Sequence, residues 1–330
     1  MKLLHSMRAL SKLCAATSLC IAAIPNTYAQ STYPDRPVRM IVGFQAGAST
    51  DTLARLLSQH LSVRLKQPFV VENKPGAATR IAMETLSKAA PDGYTIAVAN
   101  AVTATFPIMF PGMQFDPGKQ FVAVTMLGRA PSFITIKASL PVRTYKEFTE
   151  YAKDKKLAFG HPGNGTNPQI AGLALAQAMG AAVIDVPYKG NQPVAAAMKS
   201  GDIDYAMLEY QSVAPLLASS SVRLLAVTEP KRFPTQPDGP TGKEVGVTPE
   251  IEGLTPWFVL MTPAGTPSPI IDRLNKELRE ILQLPEVKER LATIGVETEF
   301  SSSAEATAYF LAHRQKITSL LKKLNLSITN

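Results

Sequence analysis

Cysteine is nearly absent: the 330-residue chain has two, Cys14 and Cys20. Both lie in the first 20 residues, so no disulfide framework and no thiol chemistry is available to the rest of the chain. Four histidines leave little to build a metal cluster from. Charge of either sign is modest, at 18% Asp, Glu, Lys and Arg. The basic excess, a net of +8, is scattered, with no stripe of Lys and Arg interleaved with aromatics that would track a phosphate backbone. Nucleic-acid binding is therefore not expected. No repeat or low-complexity tract is present, which excludes solenoids and fibres. A hydrophobic content of 45% excludes wholesale disorder.

Long apolar runs are also missing beyond the first segment. Residues 1–12 carry Lys2, Arg8 and Lys12 and no acid, and an apolar stretch runs from Leu13 to Ile24. Pro25 comes next, and Thr27 and Ala29 supply small residues at −3 and −1 of a cut after Ala29. This reads as a secretory signal peptide over residues 1–29, because the apolar stretch is too short to span about 30 Å of hydrocarbon. Leu19 before Cys20 does not fit lipid attachment. Cleavage leaves a cysteine-free chain with a net of +5, eight less three. The expected product is exported, soluble and held by its cores.

The rest of the chain alternates strand and helix. Val38–Phe44, Phe69–Glu72 and Tyr94–Ala99 read as buried strands, with helices between them over the Leu53/Leu56/Leu57/Leu61 periodicity and over 79–90. The pattern restarts with strands at Phe133–Lys137, Leu157–Gly160, Val183–Val186, Ile203–Leu208 and Leu224–Thr228. Capping boxes at Thr144/Glu147 and Ser302/Glu305 open helices. Residues 230–256 read as a surface connection, Phe258–Met261 as a strand, and 268–283, 285–293 and 303–325 as helices. The first hundred residues argue for a parallel sheet sandwiched by helices. Two α/β units result, and the final helices can return to pack on the first.

Two glycine-bearing turns join a strand end to a helix start. The first is Phe44-Gln45-Ala46-Gly47-Ala48-Ser49-Thr50-Asp51, the second Phe159-Gly160-His161-Pro162-Gly163-Asn164-Gly165-Thr166-Asn167. A helix start carries amides without internal partners and roughly half a positive charge, so each turn is a candidate anion site. Small residues let a ligand reach the backbone, and Ser49 and Thr50 add hydroxyl donors. The plainer alternative is that Ser49 is an N-cap and Asp51 complements the helix dipole. Two such turns facing each other beyond their strand ends would suit a small di- or tricarboxylate. Neither turn is a phosphate-binding or dinucleotide motif, and no Gly-x-Ser-x-Gly elbow surrounds Ser49.

Tyr33-Pro-Asp-Arg-Pro-Val-Arg39, Ala46-Gly-Ala-Ser-Thr-Asp51, Val71-Glu-Asn-Lys-Pro-Gly-Ala77 and Ala90-Pro-Asp-Gly-Tyr-Thr95 resemble, in that order, segments of the Bug receptors. Val186-Pro-Tyr-Lys-Gly190, Leu225-Ala-Val-Thr228 and Pro263-Ala-Gly-Thr-Pro267 continue the match. These are periplasmic solute-binding proteins associated with tripartite tricarboxylate transporters. The resemblance implies a Venus-flytrap binding protein of type II: two Rossmann-like α/β domains joined by two crossings. Residues 30–131 with 254–330 would form one domain and 132–253 the other. It implies no cofactor and no catalysis, a monomer, a small carboxylate ligand, and a membrane transporter or sensor kinase as partner. Carried over, the ligand-contacting positions are Phe44, Ala46, Gly47, Ala48, Ser49, Thr50, Asp51, Gly163, Asn164, Gly165 and Thr166.

The departures carry expectations of their own. Ala48 replaces a usual glycine, which would tighten the pocket. Ala78-Thr79-Arg80-Ile81-Ala82 stands where the family writes Gly-Gly-Asn-Ile-Gly, and Arg80 is a candidate for a second ligand carboxylate, or else a solvated surface residue. Leu208 stands where an acid is common, which leans away from a ligand with a free amine. Gln169 stands where His is common. His161 is expected to be an exposed turn residue in preference to a ligand contact. His60 and His313 are expected to be partly exposed, Trp257 to pack between domains, and Tyr188 and Lys189 to flank the cleft. The competing reading is an exported α/β hydrolase using Ser49, for which no His–acid pair is identifiable.

Overall fold

The computed structural model describes residues 33–234, 236–323 and 325. The expected signal peptide, with both cysteines, lies outside the described residues. Every element below lies in one compact unit that begins at Arg36. Among the described residues no helix is long and apolar enough to cross a membrane.

The first half of the compact unit begins β1 (Val38–Val42), α1 (Ser49–Leu65), β2 (Phe69–Asn73), α2 (Arg80–Ser87) and β3 (Thr95–Asn100). Next come α3 (Val102–Met109), α4 (Pro117–Gln120) and β4 (Phe121–Arg129). The chain then crosses to β5 (Ser132–Lys137), α5 (Tyr145–Ala152), β6 (Lys156–His161), α6 (Asn167–Met179) and β7 (Ala182–Pro187). The second half continues with α7 (Asn191–Ser200), β8 (Tyr205–Glu209), α8 (Tyr210–Ala218) and β9 (Val222–Val227). A long connection leads back to β10 (Trp257–Pro263), α9 (Ser268–Gln283), α10 (Pro285–Thr293), β11 (Glu297–Thr298) and α11 (Ser303–Lys323).

Two sheets result, ordered β11-β4-β10-β3-β1-β2 and β7-β6-β8-β5-β9. The parallel sheet expected from the first hundred residues is present only in part. β1 runs parallel to β2 and β3, but β10 enters between β3 and β4 antiparallel to both. The second sheet is mixed in the same way, β6 parallel to β7 and β8 and β5 antiparallel to β8 and β9. The cause is the return connection: β10 arrives from the other sheet, with no crossover helix to turn it parallel.

The fold class is α/β with two crossings, as the resemblance implied. The crossings are tied to each other. The Ala130 amide donates to the Pro256 carbonyl at 2.8 Å, and Thr255 Oγ1 donates to the Ala130 carbonyl at 2.9 Å. The cores are aliphatic and aromatic, with Ile41, Phe106, Phe159 and Tyr205 wholly buried. Both expected capping boxes form their N-cap bond. Thr144 Oγ1 accepts the Glu147 amide at 3.2 Å. Ser302 Oγ accepts the Glu305 amide at 3.2 Å, while Glu305 accepts the Ser302 amide at 2.8 Å. α11 carries Phe310, Ile317 and Leu320 into the interior and packs along β4, so the C-terminal helix does return to the first sheet.

Candidate functional site

A cavity of about 340 Å³ lies between the two sheets. It is lined by residues at the carboxyl ends of β1, β3, β6 and β8 and at the starts of α1, α3, α6, α7 and α8. Ligand sites of α/β sheets form at such strand ends, and this volume is within the range of small-molecule sites. Sequence reasoning supplied two helix N-termini, those of α1 and α6, and the structure gathers five. It missed α3, α7 and α8. Pro107 and Pro215 inside α3 and α8 read as breakers, and α7 announces itself only by Gly190 before it and Pro193 in its first turn.

The first turn faces this cavity. Phe44, Ala46, Gly47, Ala48, Ser49 and Thr50 all line it. Ala48, not Ser49, is the N-cap of α1, in extended geometry and with no side-chain cap. Its extra methyl therefore costs no backbone strain. Gly47 has φ +86°, with open space where a side chain would stand. Ser49 is free of capping duty, and its Oγ donates to Gln211 Oε1 on α8, 3.2 Å away across the cavity.

Asp51 is drawn inward. It accepts the Gly47 amide at 2.9 Å, Asn73 Nδ2 at 2.8 Å and Arg55 Nε at 2.9 Å. Burial pushes its carboxyl up, but these bonds from Arg55, Gly47 and Asn73 outweigh burial and hold it below the ordinary carboxylate range. Asp51 lines no part of the cavity; it braces the turn that does. It also takes up the Gly47 amide, so that donor is turned to the protein and not to the cavity.

The second turn directs its donors inward to a greater degree. Of its four expected ligand contacts, only Thr166 lines the cavity; Gly163, Asn164 and Gly165 do not. The Gly163 amide reaches His161 Nδ1 at 3.3 Å, and the Gly165 amide donates to Gln169 Oε1 at 2.8 Å. Thr166 Oγ1 accepts the Gln169 amide as N-cap of α6. Gly165 is also pressed against the first half: a side chain there would sit 1.9 Å from Met109 Sδ, and φ is +73°. The amides that remain at this end belong to Thr166 and Asn167, for which no protein acceptor is found among the described residues.

His161 corrects an expectation. It is wholly buried, stacked on Phe159, with Nε2 2.9 Å from Asp185 Oδ1. On its other side Nδ1 lies 3.0 Å from the Gly163 carbonyl and 3.3 Å from the Gly163 amide. Gln169 Nε2 reaches the other Asp185 oxygen at 3.0 Å. Burial pushes the Asp185 carboxyl up, but the bonds from His161 and Gln169 lower it further. The His161–Asp185–Gln169 network holds the turn's shape from beneath.

Arg80 is not brought to the cavity. Its guanidinium lies over the Phe110 ring at 4.9 Å and pairs with Glu84 at 3.3 Å. The segment before it explains the placement. Ala77, Ala78 and Thr79 all have positive φ, at 45°, 50° and 72°, which turns the chain so that α2 starts with Arg80 on another face. His60 is half-buried as expected. His313 is not: it is buried, edge-on to Trp257, with Nε2 3.3 Å from Asn167 Oδ1. Burial, then Lys316 and Arg129, push its pKa down to about 3. Trp257 is wholly buried at the return crossing, edge-on to Tyr309 and Phe310. Lys189 lines the cavity and Tyr188 does not. No group of three or more metal-ligating side chains occurs among the described residues.

The side chains that sequence reasoning passed over include Asn100, Asn191 and Gln211, all in the lining, which also holds Glu209. Glu209 ends β8 and is nine-tenths buried. Its neighbour Leu208, where an acid was sought, points into the hydrophobic core. Burial raises the Glu209 carboxyl, and a hydrogen bond from the Asn191 side chain offsets only part of that.

The family model for the tripartite tricarboxylate transporter family receptor matches residues 53–326. A UPF0065 protein of Bordetella bronchiseptica is 31% identical over 314 residues, covering 94% of this chain and 92% of that protein. Among solved structures, the periplasmic binding protein BugD superposes with a TM-score of 0.76 at 30% identity, covering 89% of this chain and 99% of that one. The R. palustris protein Rpa4515 with adipate superposes with a TM-score of 0.80 at 28% identity, covering 89% and 99%.

Proposed function

This chain belongs to the tripartite tricarboxylate transporter receptor family, and we propose that it captures a small di- or tricarboxylate reversibly in the cavity between its sheets. The observation that carries this reading is the convergence of five helix N-termini on one 340 Å³ cavity. Each brings unpaired amides and the positive end of a dipole, so an anion is held with little help from cationic side chains. Phe44, Ala46 to Thr50 and Thr166 form its contact surface, with Asn100, Asn191 and Gln211 added by their place in the lining. Asp51, Gly163, Asn164 and Gly165 shape the two turns. The structure with adipate at 28% identity supports a dicarboxylate.

Residues 30–131 with 254–330 and residues 132–253 act as two domains that close on the ligand about the paired crossings. Closure is a population shift that the ligand draws from its better contacts in the closed form. The chain works in the periplasm after removal of residues 1–29, and hands its closed form to a membrane transporter or a sensor. The hydrolase reading has little support, since Ser49 faces a Gln211 amide and no histidine lines the cavity.

Thermal-shift screening of the purified protein against C4–C8 di- and tricarboxylates tests the proposal. A ligand at a hundredfold excess over its Kd stabilises by about 2.7 kcal/mol. A screen in which no carboxylate raises the midpoint, or ester turnover that disappears in Ser49→Ala, defeats it.

A further inference from the structure

The cavity contains one acid. Glu209 stands among its lining residues, and no lysine or arginine among the described residues pairs with it; the single cation of the lining, Lys189, is exposed beyond the edge strand β7. A carboxylate in a site for carboxylates is a contradiction unless it answers something on the ligand. It sits at the N-cap of α8 but does not cap it. The Asn191 side chain at the start of α7 lies beside it in the lining. Asn191 Oδ1 is a buried acceptor that no donor among the described residues meets. Asn100 Oδ1, at the end of β3 on the opposite sheet, is a second buried acceptor of this kind in the same lining. Buried acceptors without donors are costly, so the three together ask for hydrogen-bond donors from the occupant.

We propose that Glu209, Asn191 and Asn100 form an ammonium subsite, so that the ligand is a carboxylic acid that also carries a protonated amine. This rests on the carboxylate reading above and narrows it. An ammonium group brings three N–H donors, one for each acceptor, and the positive charge that Glu209 lacks. A hydroxyl brings one donor and no charge, and a second carboxylate brings neither. The charges are then balanced, with helix starts facing the ligand's carboxylates and Glu209 facing its amine. Leu208 directed attention away from an amine, but the acid is one residue on, at the strand end where the side chain reaches the cavity.

Calorimetric titration with ligands that differ at one substituent tests this: succinate, malate and aspartate; glutarate, 2-hydroxyglutarate and glutamate; adipate and 2-aminoadipate. In at least one series the amino acid binds ten times or more tighter than its hydroxy and plain counterparts. In Glu209→Gln, which keeps shape and the Asn191 contact but loses the charge, that preference falls at least tenfold while a plain diacid binds as well or better. A melting curve in the absence of ligand checks that the variant is folded, and Asn191→Asp, which keeps the size but adds a second negative charge, provides an independent variant. Equal or tighter binding of the plain or hydroxy acid by the native protein overturns the ammonium subsite and leaves the carboxylate reading standing. So does a preference that Glu209→Gln does not change. Absence of binding by every acid in all three series overturns the ammonium subsite, and absence of binding across the wider di- and tricarboxylate screen overturns the carboxylate reading as well.

Discussion

Ser49 Oγ and Gln211 Oε1 lie 3.2 Å apart, although 162 residues separate them in sequence. One is the first residue of α1 and the other lies in the first turn of α8, so the bond joins the two sheets across the cavity. The serine hydroxyl is the same donor that a ligand carboxylate would use. A ligand therefore exchanges one acceptor for a charged one. Ser49→Ala removes a hydrogen bond of about 0.5–1.5 kcal/mol. Calorimetry with the best-binding carboxylate is expected to show affinity reduced by roughly tenfold or less, with the melting midpoint of the free protein little changed.

Asp51 is a brace whose loss is felt in stability before it is felt in binding. Its carboxylate satisfies the Gly47 amide and Asn73 and pairs with Arg55. Asp51→Ala leaves those donors without it and is expected to cost roughly 1.5–3 kcal/mol, the range for hydrogen bonds to charged groups. Urea denaturation measures this. The folded carboxyl titrates below its unfolded value of 3.8. Its contribution is therefore complete above about pH 4 and is lost as pH falls through the folded pKa. The difference between native protein and Asp51→Ala should shrink in that acidic range.

His313 gives a separate acid dependence. Its folded pKa of about 3 lies below the unfolded 6.5, so the unfolded chain binds the proton first. The stability it supports is complete above pH 6.5 and is lost as pH falls towards 3. Between those limits one proton is worth about 1.4 kcal/mol per pH unit. His313→Gln, which retains a donor for Asn167, should lower stability at pH 7 but flatten the slope of unfolding free energy between pH 6 and 4. An unchanged slope would show that His313 is protonated in the folded protein.

The turn before α2 carries strain. Ala78 has φ 50° and ψ 45°, a left-handed conformation that costs a residue with a side chain roughly 1–2 kcal/mol. Glycine there loses that penalty but adds unfolded-state entropy of about 0.4–1 kcal/mol. Ala78→Gly is expected to raise unfolding free energy by about 0.5–1 kcal/mol. Thr79→Gly is not expected to help, although its φ is 72°, because the Thr79 Cβ fills the space against Gly43. The pair of variants, compared by chemical denaturation, separates backbone strain from packing.

Much of this molecule could be read from spacing. The helices at 268–283 and 285–293 were expected over those residues because their leucine and isoleucine faces are strongly periodic and a proline opens the second. β4 escaped notice although every residue from Ala123 to Gly128 is buried, since a strand covered on both faces has no alternation to see. The first glycine turn was legible as cavity lining because it joins a buried strand end to a helix start. The turn after β6 has a similar sequence, yet His161 and Gln169 take up its Gly163 and Gly165 amides, and both are held by Asp185 on β7, which only the fold brings to them. Arg80 misled for a related reason: its direction is set by three positive-φ residues that carry no glycine to announce them.

Asn167 is where these threads meet mechanically. Its Nδ2 donates to the Thr255 carbonyl at 2.7 Å and its Oδ1 faces His313, so one side chain on the second half is moored to both the return strap and the C-terminal helix of the first. Any swing that parts the sheets must either pivot at that mooring or tear it. The Ser49–Gln211 bond is a further tie across the same cavity, and it is one that an incoming anion can replace.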